Sequence, residues 1–222
     1  MRGDILMARK DYAAAASAYE RILRHEPKNA MLLNKTGMAY QELGDAWHAE
    51  RFYKKSSKAD HHFGAAVNNL GTLEYSRGRY GKAVKYYRKA LALSSDRATI
   101  YSNLGYAYCG SKEYARATAA FRKALALDPN IFERRGEFGS VFQQRSAPNP
   151  AELYFLMAKS YALAGDAAHA AHFLKLARDD GYKQFRSART DPAFARVIKD
   201  PQVQQVLLVR PPYAAGGAPP PK

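Results

Sequence analysis

The sequence predicts an all-α chain made of repeated antiparallel helix pairs, and three observations carry that prediction. Gly37, Gly71 and Gly105 recur at intervals of 34 residues, and a fixed period of that length marks one helix pair stacked on the next. Large residues keep the same register, with Val67, Leu70 and Tyr87 of one copy answered by Tyr101, Leu104 and Phe121 of the next. Small residues do likewise at Ala49, Ala83 and Ala117. Small side chains let two helices approach closely while the aromatics fill the remaining space, so the motif encodes packing rather than chemistry.

The sharpest copy reads Tyr101, Leu104, Gly105, Tyr108, Ala117, Phe121, Ala124 and Pro129. In those residues the chain resembles the tetratricopeptide repeat family, and the resemblance implies a right-handed superhelical solenoid of antiparallel helix pairs. The preceding copy has Val67, Leu70, Gly71, Ala83, Tyr87 and Ala90, with Glu74 where the family has Tyr and Ser95 where it has Pro. The copy before that has Leu33, Gly37, Tyr40, Ala49 and Tyr53, but Thr36, Ser56 and His61 depart from the pattern. One more step back gives Gly3, Leu6, Ala15, Tyr19 and Pro27, and the first five positions of that repeat fall before Met1. The first pair is therefore expected to be partial, with an upstream segment as the place for an export signal. Pro27 and Pro129 mark the passages between pairs, since proline cannot continue a helix interior.

After Pro129 the period breaks. Residues 131–150 form an insert whose Phe138, Val141 and Phe142 fall at i, i+3 and i+4, the spacing of a short amphipathic helix. The repeat resumes with Tyr154, Ala158, Tyr161, Ala170 and Ala177. Asp191-Pro192 and Asp200-Pro201 each place a capping carboxylate before a proline suited to a first helical turn. Two short helices are expected there, carrying Phe194, Val197, Val203, Val206 and Leu207 as C-terminal capping helices. The predicted division is 1–29 for the partial pair; 30–63, 64–97 and 98–130 for full pairs; 131–150 for the insert; 151–183 for a further pair; 184–210 for the cap; and 211–222 for a Pro/Gly-rich tail without hydrophobic periodicity.

Thirty-five basic residues against 20 acidic ones give a formal charge of +15, which brings nucleic acid and anionic membranes into consideration. The excess is spread: residues 64–97 hold seven Lys/Arg against two acids and residues 185–222 hold six against two. Lys82, Lys85, Arg88 and Lys89 lie on a second helix, with Arg77 and Arg79 in the turn before it, while Tyr86 and Tyr87 are assigned to packing. A solvated charged face is the commoner meaning of such a run. The lone Cys109 excludes an intramolecular disulfide framework. No stretch approaches the roughly 20 apolar residues that span a bilayer, so the expectation is a soluble chain, cytoplasmic or, with an upstream signal, periplasmic.

No Gly-rich phosphate loop or Gly-x-Ser-x-Gly elbow occurs, and repeats, insert and cap use nearly the whole chain. No catalytic residue, cofactor or metal is expected. Asp166, His169 and His172 step by three, but Asp166 follows Gly165 where a helix-capping Asp belongs. His61 and His62 are adjacent in a loop and point apart.

The family resemblance implies that the groove is lined by first-helix residues: Asn34, Lys35, Met38, Gln41 and Glu42; Asn68, Asn69, Thr72 and Tyr75; and Ser102, Asn103, Tyr106 and Cys109. Asn69 and Asn103 share a register position, similar to repeats whose stacked asparagines hold an extended peptide. A carboxamide offers two donors and two acceptor sites, enough to grip one peptide unit without reading its side chain. The alternative is that these asparagines only bond the neighbouring repeat's helix. The carboxylate-clamp branch needs two cations on the third repeat, where this chain has Thr99 and Asn103, so chaperone-tail binding is not expected. The expected function is a non-catalytic scaffold holding a peptide or protein segment in the groove. The alternatives are a basic tether for nucleic acid or anionic membrane through the second helices, and a self-assembling homo-oligomer.

Overall fold

The computed structural model describes residues 2–132 and 149–209. The predicted insert stripe of Phe138, Val141 and Phe142 and the tail from residue 211 lie outside the described residues. Among the described residues all regular structure is helical. The chain divides into two compact units, Met1–Asn103 and Leu104–Lys222.

The first unit holds α1 (Arg2–Ala8), α2 (Tyr12–Leu23), α3 (Ala30–Glu42), α4 (Ala46–Ala59), α5 (Gly64–Ser76), α6 (Tyr80–Leu91) and the start of α7 (Arg97–Gly110). Packing runs consecutively, α1 on α2, α3 on α4 and α5 on α6, with α2 meeting α3 and α4 meeting α5. The repeating contact is a glycine under a tyrosine. A Cβ placed at Gly37 would stand 2.6 Å from the Tyr53 ring, and one at Gly71 would stand 2.5 Å from Tyr87. Tyr19, Tyr53 and Tyr87 are fully buried, and each hydroxyl finds an acceptor on the paired helix: Asp4 Oδ1 at 2.8 Å, Gln41 Oε1 at 3.0 Å and Thr72 Oγ1 at 3.3 Å. A buried hydroxyl left alone would cost most of what its ring gains, so these bonds make tyrosine tolerable in the core.

Side chains also fix the helix starts. Asp11, Asn29 and Asp45 accept from the N–H groups of Ala14, Leu32 and His48 at 3.2, 3.0 and 3.0 Å, satisfying donors that a helix leaves open at its first turn.

The second unit contains the remainder of α7, then α8 (Tyr114–Leu127), α9 (Pro150–Ala164), α10 (Ala167–Asp179), two 3-10 turns (Phe185–Arg189 and Pro192–Phe194) and α11 (Pro201–Leu208). The Gly105–Phe121 contact repeats the glycine-under-ring arrangement. Asp166 caps α10 through the His169 N–H at 3.0 Å, and its other oxygen pairs with His169 Nδ1 at 2.6 Å while Tyr161 stacks on the imidazole at 4.8 Å. In the first unit Asp45, His48 and Tyr40 form the same lock, with the ring stack at 4.7 Å.

The C-terminal cap differs from the expectation of two short helices. Asp200-Pro201 opens α11, but Asp191-Pro192 opens only a 3-10 turn, because bonds such as Ala195 N–H to the Pro192 carbonyl and Val197 N–H to the Phe194 carbonyl close three residues back. Phe194, Val197, Val203 and Leu207 are buried as expected. Arg178 and Arg189 cap α11 by donating to the carbonyls of Val206 and Leu207 at 3.3 and 3.1 Å, which suits cations at a helix C-terminus.

Candidate peptide-binding surface

In the first unit the first helices α3, α5 and α7 bring their asparagines together. Asn69 Nδ2 donates to Asn34 Oδ1 at 3.0 Å, and Asn103 Nδ2 donates to Asn68 Oδ1 at 2.8 Å. Asn68 Nδ2 approaches Asn69 Oδ1 at 3.4 Å, closing the four carboxamides into one row. Each inter-helix bond joins residues 35 apart, so a residue meets the position just before its own counterpart in the preceding repeat. The in-register pair Asn69 and Asn103 is thus connected through Asn68 rather than directly.

Burial sorts the predicted lining. Asn103, Thr72 and Tyr75 are buried, as are Asn34 and, at the margin, Asn68. Thr72 takes the Tyr87 hydroxyl, and the Tyr75 ring meets Tyr80 edge-on at 5.3 Å. Lys35, Met38, Gln41 and Asn69 are half-buried, and Glu42 is exposed. Lys35 Nζ sits 2.7 Å from Asp4 Oδ1, and its ammonium holds the Asp4 carboxyl down at about 2. Asn34 Nδ2 contacts Met38 Sδ at 3.5 Å, and Gln41 is the acceptor of Tyr53. Asn103 Oδ1 and Ser102 Oγ are buried without a hydrogen-bond partner among the described residues.

Two predicted lining residues belong to the second unit. Tyr106 is buried edge-on to Phe121 at 5.3 Å. Cys109 is buried as well, and burial, with Glu152 adding repulsion, pushes its thiol up to about 12. A thiol held neutral near neutral pH is a poor nucleophile.

The sequence reading named Arg77, Arg79, Lys82, Lys85 and Lys89 on the second-helix side but missed the wall that faces them. Glu50 and Lys54 of α4 join them, with Glu74 and Tyr86, around one open recess of about 920 Å³. Trp47, Arg51, Lys54 and Lys58 follow one another at i, i+4, i+7 and i+11, one helical stripe, and that spacing was the available signal.

Three family models of the tetratricopeptide repeat match, over residues 1–60, 71–112 and 98–131. A stretch of 81 residues is 33% identical to the small glutamine-rich tetratricopeptide repeat-containing protein 2 of Mycosarcoma maydis, covering 36% of this chain and 23% of that protein. The chain therefore spans under a quarter of that relative's length. Solved structures of the same fold include PilW, a widely conserved type IV pilus biogenesis factor (TM-score 0.60, 18% identity, 92% of this chain and 94% of that one). MamA matches with a TM-score of 0.54 and 24% identity over 82% of this chain and 95% of that one. YrrB, described as a tetratricopeptide protein with an unusual peptide-binding site, matches with a TM-score of 0.51 and 16% identity, over 85% and 89% of the two chains. At these identities the structural likenesses speak for the fold alone. Helix pairs, 34-residue register and family matches together define a helical repeat protein, and the chain belongs to the tetratricopeptide repeat family. None of the described helices is long and apolar enough to cross a membrane.

Proposed function

We propose that the chain is a non-catalytic scaffold that holds an extended segment of a partner protein along the first-helix face of the Met1–Asn103 unit. The observation that carries this reading is Asn69. Its carboxamide is held by Asn34 on one side and approached by Asn68 on the other, yet the residue is only partly buried. A carboxamide has two N–H donors, and only one is spent on Asn34. The second is left for a peptide carbonyl, and a side chain already held by its neighbours loses less rotamer freedom on binding. Lys35, Met38 and Gln41 of α3, each partly exposed, add a mixed polar and apolar strip. Family membership supports a protein partner, and the peptide-binding site described for YrrB supports a peptide as the bound element.

The test is a peptide array probed with the purified chain, followed by titration of the best binder by fluorescence anisotropy. An affinity in the micromolar range, about −8 kcal/mol, is expected. Asn69→Ala should weaken it by about tenfold with little change in melting temperature. Full affinity in Asn69→Ala would remove the basis of the reading.

A further inference from the structure

We infer that the recess bounded by α4, α6 and the α5–α6 turn is a second binding surface, which takes an acidic helical segment of a partner protein. It goes beyond the Asn69 reading, since no residue of the carboxamide row lines the recess.

The recess exists because one repeat reverses the charges at its turn. Where other pairs place an aromatic on the first helix and an acid at the second helix's cap, as in Tyr40 with Asp45 and Tyr161 with Asp166, this pair has Glu74 and Arg79. Glu74 is buried and holds both Arg77, at 3.0 Å, and Arg79, at 2.8 Å, while Glu50 reaches Arg77 at 2.6 Å and Lys54 at 2.6 Å. Two carboxylates thereby fix three cations at the floor and rim. Lys82, Lys85 and Lys89 remain, and among the described residues they make no ion pair. They fall at i, i+3 and i+7 of α6, one stripe about 10 Å long.

A second recess of about 370 Å³ adjoins the first through Glu50 and Lys54 and adds Trp47, Arg51, Lys55 and Lys58. The whole surface carries nine cations against two acids, and it is a trough rather than a dome. A flat lipid surface cannot follow a trough. A nucleic-acid strand would stack its bases on aromatic faces, and Arg51 competes for one face of the Trp47 ring at 5.5 Å while His48 makes a T-shaped contact with it at 4.6 Å. Glu50 and Glu74 in the floor also oppose a continuous phosphate chain more than spaced carboxylates. An acidic helix matches both features: carboxylates at i, i+3 and i+7 repeat the lysine spacing, and an apolar side chain at its end meets the edge of Trp47, which is 64% exposed.

The experiment uses the full chain and a fluorescent Ala-based peptide of about 20 residues with glutamates on one helical face. Comparators are the same residues shuffled off that face, a thymidine oligonucleotide of similar length and vesicles of phosphatidylcholine with phosphatidylserine. The patterned peptide should bind at least about tenfold more tightly than the shuffled one, and weaken as salt rises. Lys82→Glu, Lys85→Glu and Lys89→Glu together should abolish that binding, and the Lys→Gln triple, which adds no repulsion to the fold, should reduce it by about tenfold or more. Asn69→Ala should leave it unchanged, which separates this surface from the first. Equal affinity for the shuffled peptide, survival of binding in both triple variants, or tighter binding of oligonucleotide or vesicle would each overturn the inference.

Discussion

Asn103 on α7 and Asn68 on α5 share a 2.8 Å hydrogen bond in a place where Asn103 has no solvent exposure at all. The same bond recurs between Asn69 and Asn34 at 3.0 Å, but there the donor residue is partly exposed. One register position thus ties helices in two settings, fully buried at Asn103 and partly exposed at Asn69.

That difference predicts unequal costs for the same change. Asn103→Ala strips the Asn68 carbonyl of its donor in a dry site, a loss of about 1–3 kcal/mol. Because Asn103 Oδ1 itself lacks a partner among the described residues, removing it returns part of that cost, and the expectation settles near about 1 kcal/mol. Asn69→Ala should cost about half as much or less, since water replaces the lost bond. Urea unfolding of the two variants decides it, and equal destabilisation would show that the row has no buried and exposed ends.

Asp4 offers a test in pH. Lys35 and the Tyr19 hydroxyl both bond its Oδ1, and the carboxyl stands at about 2 instead of 3.8. A depressed carboxylate stabilises the fold above its ordinary value and ceases to do so as pH falls through the lowered one. Asp4→Asn keeps an acceptor for Tyr19 and loses only the charge. The variant should therefore be less stable than the native chain near neutral pH, and the gap should close as pH falls from about 5 towards 2. Since the Asp4 side chain is 41% exposed, the gap should be only about 0.5 kcal/mol. A gap that widens in acid would mean that the ion pair does not reach solution.

What could be read from the sequence follows from how strongly each residue type constrains its surroundings. Gly37, Gly71 and Gly105 were legible because a ring occupies the space of the missing Cβ, and only glycine permits that. The Asn row was legible as a register but not as a bond pattern, since each donor reaches the position just before its counterpart on the preceding repeat's first helix. The recess wall on α4 is not legible in the sequence, because lysines and a tryptophan on a helix usually signify nothing beyond a solvated face. Asp191-Pro192 predicts the start of a short helix, yet a capping carboxylate and a proline specify a first turn and not the length that follows.

The turns between paired helices carry a further regularity that glycine only half reveals. Lys10, Gly44, Gly78 and Lys112 stand at intervals of 34 residues, and all four have left-handed backbone with φ of 61°, 78°, 70° and 62°. Each donates its N–H three residues back at 2.9–3.0 Å, and the next residue donates five back at 2.8–2.9 Å, the double bond pattern of a helix ending in a left-handed residue. A non-glycine residue there costs about 1–2 kcal/mol in local sterics, whereas glycine in place of lysine frees the unfolded chain by about 0.4–1 kcal/mol. The steric gain is the larger, so Lys10→Gly and Lys112→Gly should each stabilise the chain by about 0.5 kcal/mol. A Cβ at Gly44 or Gly78 would meet nothing within 4 Å, so Gly44→Ala and Gly78→Ala should destabilise by about the same amount through the backbone alone. Thermal unfolding of the four variants measures both directions. Stabilisation by alanine at Gly44 or Gly78, or destabilisation by glycine at Lys10 and Lys112, would show that unfolded-chain entropy outweighs left-handed strain in these turns.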